Sequence, residues 1–289
     1  MTNSAKIALV QMRPRLGDLS YNLQLHLEKI REAKMQGARL AVFPELGLTG
    51  YQVQDLTLDV ARTLHHPEIE QLVLASQDMD VVFSFVEESD EHLFYVTAVY
   101  AAEGGIRGVH RKVYLPTYGM FDEGRYFASG WGFRAFPSRF GRVGMMICED
   151  AWHLSSPYLL SLQGADLLIV ISASPARSVT DSERFGSHQF WRRLLETYAS
   201  LLSTHIVFVN RVGFEDGVSF FGGSGVVTPD GTWVTEAPAL AESIVYGDLN
   251  PDIVRRSRYS TPILRDEKRE MVWKQLAGLQ KGGGFTDET

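Results

Sequence analysis

Short apolar runs of strand length recur along this chain, and helical patterns separate many of them. The runs include KIALVQM and RLAVFPE near the start, and RVGMMIC, DLLIVISAS and HIVFVNRVG in the second half. Between the first two lies GDLSYNLQLHLEKIREAKMQGA, in which Leu23, Leu27 and Ile30 share one helical face. Glycine-marked hairpins such as AEGGI and PDGTW join other runs. Strands that alternate with helices and also form hairpins predict an α/β layered fold with mixed sheets.

The series continues without a low-complexity linker, which indicates one domain over residues 1–247 and a C-terminal extension over residues 248–289. The first helix can be capped by Asp18 or Ser20 and ended by Gly37. The extension carries apolar side chains that need to be covered, namely Ile253, Ile263, Leu264, Met271, Val272 and Trp273.

The composition excludes several classes of protein. Hydrophobic residues make up 45% of the chain and charged residues 22%, which is typical of a globular protein with a sizeable core. The 28 Lys and Arg face 35 Asp and Glu without a run of like charge, so a nucleic-acid partner is not expected. Neither a signal peptide nor a stretch of about 20 apolar residues is present, which predicts a cytoplasmic protein away from the membrane. One cysteine cannot form an intrachain disulfide, in agreement with a reducing compartment.

Three chemically complementary side chains each follow an apolar run. Glu45 ends LAVFPE, Lys112 lies in VHRKVYLP and Cys148 ends VGMMIC. A thiolate is a nucleophile, a carboxylate can take the thiol proton, and an ammonium can stabilise an oxyanion. Taken singly, each residue also has an ordinary explanation. A free cysteine often fills space in a core, a glutamate after Pro44 can cap a turn, and a lysine beside Arg111 can be solvated.

Taken together, the segments around these residues resemble a known superfamily. FPELGLTGY, HRKVYLP and MMICEDAW are similar to the three signature segments of the nitrilase, or carbon-nitrogen hydrolase, superfamily, in the order Glu, Lys, Cys. The similarity continues through FVNRVG and FFGGSGVVTPDG and covers nearly the whole chain. It implies a four-layer α-β-β-α sandwich with two mixed β-sheets. It also implies a hydrolase of C–N bonds other than peptide bonds that needs no metal or organic cofactor.

Within that superfamily, LPTYGMFDEGRYF resembles the glutaminase domain of glutamine-dependent NAD synthetases. The resemblance implies that Tyr118, Phe121 and Glu123 belong to a glutamine pocket, and Glu149 in ICEDAW is a further candidate. SASPARS resembles the serine-proline turn of those pockets, which makes Ser174 a candidate ligand for the polar end of the substrate.

The chain also departs from that pattern. No synthetase domain follows, and the SGGxDS type of pyrophosphatase loop is absent. A basic residue that contacts the substrate carboxylate in some of those pockets lies further downstream than Arg177 does here. Glutamine itself therefore stays open as the substrate.

The resemblance implies a mechanism. Glu45 accepts the proton of Cys148 as the sulfur attacks an amide carbonyl, and Lys112 stabilises the oxyanion together with a backbone amide near Cys148. Ammonia leaves, and water activated by Glu45 hydrolyses the thioester. Glu123 holds the substrate amide and Lys112 in register.

Several functions are compatible with the sequence. The favoured one is a free-standing amidase for a small linear amide, glutamine-like or carbamoyl. Alternatives are a glutaminase subunit that supplies ammonia to a separately encoded synthetase, a nitrile hydrolase and, last, a noncatalytic assembly protein. Members of the superfamily pair through helices near the cysteine and their C-terminal segments cross to the partner, which implies a homodimer or higher homo-oligomer.

Rival motifs fit less well. His153 lies five positions beyond Cys148, but a histidine in a loop after a strand is more often solvated than part of a Cys/His dyad. His65 and His66 lack a ligand set at metal spacing and indicate the start of a helix. FFGGSG lacks the Lys and Ser or Thr of a phosphate loop, and its glycines instead allow two strands to approach closely.

Overall fold

The computed structural model of the protein describes residues 4–177 and 185–280. The strands, numbered in chain order, form two six-stranded sheets and one two-stranded ribbon. The first sheet has the order β14 (Ser243–Leu249), β1 (Ala5–Gln11), β2 (Leu40–Val42), β3 (Asp80–Glu88), β4 (Phe94–Ala102) and β5 (Gly105–Arg111). The second has the order β13 (Trp233–Glu236), β12 (Gly225–Val227), β9 (His205–Asn210), β8 (Leu167–Ser172), β7 (Gly141–Ile147) and β6 (Phe136–Ser138). The ribbon pairs β10 (Val212–Glu215) with β11 (Val218–Phe221).

Helices connect these strands over the described ranges. The α-helices are α1 (Leu19–Met35), α2 (Thr57–Val60), α3 (Pro67–Leu74), α4 (Glu123–Tyr126), α5 (Ser155–Leu162), α6 (Gly186–Leu202), α7 (Pro251–Ser260), α8 (Ile263–Asp266) and α9 (Arg269–Gln280). Short 3₁₀ helices cover Gln54–Leu56 and Cys148–Trp152. No helix in the described part of the chain is long and apolar enough to cross a bilayer.

The elements stack in four layers. The two large sheets face each other through β1 against β9 and β12 against β14. Helices α1 and α3 pack together outside the first sheet, and α5 and α6 pack together outside the second. Both sheets are mixed, because each has a parallel centre, β1-β2-β3 or β7-β8-β9, flanked by antiparallel strands. The predicted α-β-β-α sandwich with two mixed sheets is confirmed.

The parallel centres bring the exits of several strands to one edge of the sandwich. In the second sheet Ile147 lies opposite Ile171, and Ser172 lies opposite Asn210, so β7, β8 and β9 end side by side. In the first sheet β2 ends at Val42 and leads directly into the segment that holds Glu45. Because the carboxyl ends of parallel strands meet at one edge, residues that follow them share a site.

Helix α1 has the predicted amphipathic pattern, and it also buries a polar side chain. Asp18 caps the helix by accepting a hydrogen bond from the Tyr21 amide at 3.1 Å. Leu23 and Ile30 are buried as predicted. His26 is buried as well and stacks on a phenylalanine of the core, and burial lowers the pKa of His26 to about 4. The hydrophobic pattern alone does not predict a neutral histidine in this core.

The C-terminal segment begins inside the sheet. The predicted division between residues 247 and 248 falls within β14, which runs antiparallel to β1 as far as Leu249. Val254 on α7 is buried, and Arg258 forms an ion pair with Asp166 at 2.7 Å. Over Arg269–Gln280 no side chain of α9 is buried. Residues 281–289 of the predicted extension lie outside the described residues.

Candidate active site

The three residues singled out in the sequence meet at the shared edge. Glu45 follows β2, Lys112 follows β5 and Cys148 follows β7. The Lys112 Nζ lies 2.7 Å from Glu45 Oε1, and both side chains are fully buried. Cys148 is 7% exposed, and the charges of Glu45 and Lys112 both act on its thiol. The sandwich therefore collects a carboxylate, an ammonium and a thiol in one largely dry site.

Lys112 is held between two carboxylates. Its Nζ donates to Glu123 Oε1 at 2.8 Å as well as to Glu45. Burial by itself lowers the pKa of Lys112, but the carboxylates of Glu123 and Glu45 outweigh it and raise the pKa well above its ordinary value. Lys112 is a cation at neutral pH. Burial raises the pKa of Glu123 to about 7 against the opposing effect of Lys112.

The Glu45 carboxylate is fixed from two sides. Its Oε1 accepts from Lys112, and its Oε2 accepts from the Ala173 amide, which follows β8, at 2.7 Å. Leu46, next in the chain, has a φ of +48° and donates its amide to Ser84 Oγ on β3 at 3.1 Å. A left-handed leucine is strained, so the surrounding hydrogen bonds impose this turn. The turn points the glutamate into the space between the sheets.

Cys148 lies on a sharp turn between β7 and the 3₁₀ helix Cys148–Trp152. Its φ is +44°, a conformation that non-glycine residues adopt rarely. The Ser172 hydroxyl donates to Cys148 Sγ at 3.3 Å. Burial raises the pKa of the Cys148 thiol well above its ordinary value, Glu45 adds to this, and Lys112 opposes it. The resting sulfur is therefore a thiol that needs a base before it can attack.

Asp150 is a buried residue of the site to which the sequence reasoning gave no role. Its Oδ1 accepts from the amides of Val113 at 2.9 Å and Tyr114 at 3.0 Å. Its Oδ2 accepts from the Ile147 amide at 2.9 Å and lies 2.7 Å from His110 Nε2. The only sequence indication is a second acidic residue directly after Glu149 in ICEDAW.

Tyr51 was also missed, although it closes the quoted segment FPELGLTGY. Its hydroxyl donates to Glu123 Oε1 at 2.5 Å. Its amide and the Gln52 amide donate to Glu215 Oε1 at 2.8 and 2.7 Å. Glu215 in turn pairs with the buried Arg211 of FVNRVG at 2.7 Å. A chain of contacts thus runs from this ion pair through Tyr51 to Glu123.

Three of the predicted pocket residues form one group. The Tyr118 hydroxyl donates to both carboxylate oxygens of Glu149, at 3.0 and 2.9 Å. Phe121 lies edge-on against Tyr118 and also against Tyr51. The guanidinium of Arg177 lies 4.8 Å from the centroid of the Phe121 ring. Tyr118 is half-exposed, so this group lies at the open side of the site.

Ser174 lies two residues after the end of β8. It is buried, its Oγ accepts from Trp191 Nε1 at 2.9 Å, and its amide donates to Asn210 Oδ1 at 2.8 Å. Its hydroxyl is thus already engaged by Trp191, although the hydroxyl proton is available to a further acceptor.

A cavity of small-molecule size adjoins the buried glutamate. It encloses about 310 Å³ and is lined in part by Tyr51, Phe121, Glu123 and Tyr126. A larger cavity of about 680 Å³ lies elsewhere and is lined in part by Lys6, Arg39 and Asp248, none of which belongs to the site. Of the cluster formed by Glu45, Lys112, Glu123 and Cys148, only Glu123 lines the smaller cavity.

The rival residues take the ordinary roles expected of them. His153 stacks on Tyr114 with ring centroids 3.6 Å apart and is 44% exposed. His66 caps α3 by accepting from the Glu68 amide. Gly222 has a φ of +75°, and a Cβ there would lie 2.5 Å from a side chain on β1. Among the described residues, no group of three or more His, Cys, Asp or Glu side chains is arranged to hold a metal ion.

Comparisons with known proteins identify the family. The sequence profile of the family described as Carbon-nitrogen hydrolase matches residues 6–259. A glutamine-dependent NAD(+) synthetase of Acinetobacter baylyi is 32% identical over 256 residues, which cover 89% of this chain and 46% of the synthetase. An N-carbamoylputrescine amidase of Arabidopsis thaliana is 27% identical over 270 residues, which cover 88% of this chain and 89% of the amidase. The chain spans about half the length of the synthetase.

A solved structure shares the fold. The crystal structure of a carbon-nitrogen hydrolase from Helicobacter pylori matches with a TM-score of 0.84 at 24% identity, and the match covers 95% of this chain and 99% of that one. The chain belongs to the carbon-nitrogen hydrolase family. The family resemblance and the enzyme class predicted from the sequence are confirmed.

Proposed function

We propose that this chain cleaves the C–N bond of a small linear amide, glutamine-like or carbamoyl, through a thioester on Cys148, and that it releases ammonia. The observation that supports this proposal best is the buried Lys112 ammonium between the carboxylates of Glu45 and Glu123, beside the only cysteine. A charge cluster of this kind is costly to bury and contributes little to stability by itself. Its burial is accounted for if it stabilises charges that develop during a reaction.

The first half-reaction begins at a protonated sulfur. Glu45 accepts the proton of Cys148 as Sγ forms a bond to the amide carbon, and the carbonyl oxygen becomes an oxyanion. Lys112 lies beside both carboxylates and donates to this oxyanion. The proton on Glu45 then passes to the amide nitrogen, the C–N bond breaks and ammonia leaves. The acyl group remains on Cys148 as a thioester.

The second half-reaction uses the same base. Glu45, now a carboxylate again, takes a proton from water as the water oxygen attacks the thioester carbon. The C–S bond breaks, the carboxylic acid or carbamic acid leaves, and the proton returns to the Cys148 sulfur. Glu123 keeps the Lys112 ammonium and the substrate amide aligned throughout, because its Oε1 already accepts from Lys112.

Three of the proposed substrate-binding residues lie together at the open side of this site, and the fourth, Ser174, is buried. Tyr118, Phe121 and Glu149 would contact the part of the substrate that lies away from the scissile bond, and Ser174 would accept or donate at its polar end. Tyr118 and Glu149 are hydrogen-bonded to each other, so a polar substrate group has to bind to this pair or displace it.

A second candidate function is a glutaminase that supplies ammonia to a separately encoded synthetase. It is favoured by one observation, namely 32% identity to a glutamine-dependent NAD(+) synthetase of which this chain spans 46%. Such a subunit would be slow alone and would gain activity when the partner is added. A nitrile hydrolase is the remaining enzymatic alternative, and a noncatalytic assembly protein the last.

The chain is also proposed to form a homodimer or a higher homo-oligomer. Leu154, Leu159 and Leu201, in and beside α5 and α6, are 73%, 44% and 52% exposed. Trp273 on α9 of the extension is 69% exposed. Burial of these side chains against a second copy would remove apolar surface from water. Light scattering coupled to gel filtration measures the state, and a monomer at micromolar concentration contradicts this proposal.

The function is tested by ammonia release across a panel of primary amides, carbamoyl compounds and nitriles, with heat-denatured protein as the blank. The proposal predicts turnover of at least one linear amide or carbamoyl compound and none of the nitriles. Turnover of nitriles alone would contradict it. Glutamine turnover that stays near background until a synthetase is added would favour the second candidate instead.

A further inference from the structure

Asp150 connects the two segments that carry the reacting groups. The amides of Val113 and Tyr114, directly after Lys112, donate to its Oδ1 at 2.9 and 3.0 Å. The amide of Ile147, directly before Cys148, donates to its Oδ2 at 2.9 Å. Lys112 follows an edge strand of the first sheet and Cys148 follows a strand of the second. One carboxylate therefore joins the two sheets at the site.

The same carboxylate is held by a side chain from β5. His110 Nε2 lies 2.7 Å from Asp150 Oδ2, and both side chains are buried. His110 also stacks on Phe133, with ring centroids 5.4 Å apart. Side chains at alternate positions of a strand lie on one face, so His110 shares its face with the side chain two residues on, Lys112. His110 thus fixes the carboxylate from the strand that leads to the ammonium.

Asp150 is placed where it can affect both reacting groups. Asp150 is fully buried and uses both carboxylate oxygens, which makes it a rigid connection. The groups that it binds lie within two residues of Lys112 or Cys148. The nucleophile and the oxyanion donor act on the same carbonyl group, so the rate of the reaction depends on the distance between them.

We propose that Asp150 is a positioning residue that sets the distance between Lys112 Nζ and Cys148 Sγ, and that His110 orients its carboxylate. The expected effect of Asp150 on turnover rests on the proposed function. Its effect on the reactivity of Cys148 toward a simple alkylating agent does not depend on which substrate is correct.

The test compares four variants in two assays. Asp150→Asn keeps the volume and one oxygen but cannot accept hydrogen bonds on both sides. His110→Gln keeps a side-chain N–H donor, whereas His110→Phe keeps a ring and loses the donor. Asp80→Asn is the matched control, because Asp80 is also buried and accepts from Tyr100 at 2.5 Å. Asp80 is the first residue of β3 and lies at the opposite end of the strands from Lys112.

The first assay is the alkylation rate of Cys148 by iodoacetamide, in which a sulfur–carbon bond forms and iodide leaves. The intact mass reports the reaction cleanly because the chain has one cysteine. The second assay is kcat and KM for the best amide of the panel. Thermal unfolding is recorded for each variant so that the rates can be compared between folded proteins.

We expect Asp150→Asn to lower both kcat and the alkylation rate by about a hundredfold, with KM changed by less than about threefold. His110→Phe is expected to lower both rates in the same direction, and His110→Gln to recover most of the loss. The control Asp80→Asn is expected to change stability but neither rate. This pattern separates positioning from a general loss of structure.

Wild-type rates in folded Asp150→Asn would overturn the inference, as would equal losses in Asp150→Asn and Asp80→Asn or no difference between His110→Gln and His110→Phe. If Asp150→Asn does not fold, the two His110 variants decide the question by the same criteria. If the wild type turns over no amide but the alkylation rates follow the expected pattern, the positioning role stands and the proposed function fails.

Discussion

Replacing Lys112 by methionine tests the charge balance of the site. Methionine keeps much of the apolar stem but removes the ammonium that contacts Glu45 at 2.7 Å and Glu123 at 2.8 Å. Breaking a buried ion pair by removing one partner costs about 3–5 kcal/mol, because the remaining charge is left uncompensated. Lys112→Met should therefore lower the free energy of unfolding by about this amount at pH 8 and abolish turnover.

The loss should depend on pH in a defined direction. When the pKa of a carboxyl group is higher in the folded than in the unfolded protein, the free energy of unfolding falls as the pH rises between the two pKa values. For glutamate the unfolded pKa is about 4.3. In the wild type this fall ends near the Glu123 pKa of about 7. Lys112 lowers the pKa of Glu123, so its removal raises that pKa further and extends the fall above pH 7. Above pH 7, the difference in the free energy of unfolding between wild type and Lys112→Met should grow by about 1.4 kcal/mol per pH unit.

Urea denaturation followed by circular dichroism from about pH 6 to about pH 9 measures this difference. Lys29→Met is the control, because Lys29 pairs with Glu32 at 2.9 Å but is 33% exposed. That control should cost less than about 1 kcal/mol at every pH. A cost below about 1 kcal/mol for Lys112→Met at pH 8, or a cost that stays constant above pH 7, would refute the reasoning.

Further changes test the supporting contacts. Tyr51→Phe removes a hydroxyl that lowers the pKa of Glu123. Because Glu123 holds Lys112 as a carboxylate, the acid limb of the kcat/KM profile should move to higher pH. An unmoved limb would contradict the assignment. Glu215→Gln leaves Arg211 buried without its carboxylate and should cost about 3–5 kcal/mol in urea denaturation; a cost near zero would show that Arg211 finds another partner. Gly222→Ala places a methyl group 2.5 Å from a neighbouring side chain, at a residue whose φ is +75°. The change should lower the free energy of unfolding by about 1–3 kcal/mol. Thermal unfolding measures the loss, with Gly278→Ala as the control because the space at Gly278 is open.

The alternation of strand and helix patterns predicted an α/β layered fold with mixed sheets, and the resemblance to the nitrilase superfamily implied its four layers. Apolar runs of strand length indicate which segments form strands, and Asp18 marks the start of α1 through a side-chain cap that local sequence determines. Glu45, Lys112 and Cys148 were singled out because each follows an apolar run, and the resemblance of the surrounding segments to the three signature segments made them the predicted catalytic residues. Residues that follow parallel strands come together without any knowledge of loop conformation.

The residues that were missed act across large distances in the sequence. Tyr51 contacts Glu123, which is 72 positions away, and Asp150 contacts His110, which is 40 positions away. Neither contact has a spacing that a helix or strand would reveal. The buried His26 was missed for a different reason, since a polar residue on an amphipathic helix is expected to face water. Burial of such groups depends on partners that only the tertiary fold supplies.

The nucleophilic role of Cys148 is the central claim, and one comparison tests it most directly. Ammonia release from the best amide of the panel is measured for wild type, Cys148→Ala and Cys148→Ser, with thermal unfolding of all three as the check on folding. The alanine variant loses one sulfur from a nearly buried position and should fold. We predict no ammonia above the blank from Cys148→Ala and almost none from Cys148→Ser. Ammonia release by folded Cys148→Ala at a rate near that of wild type would contradict the thioester mechanism.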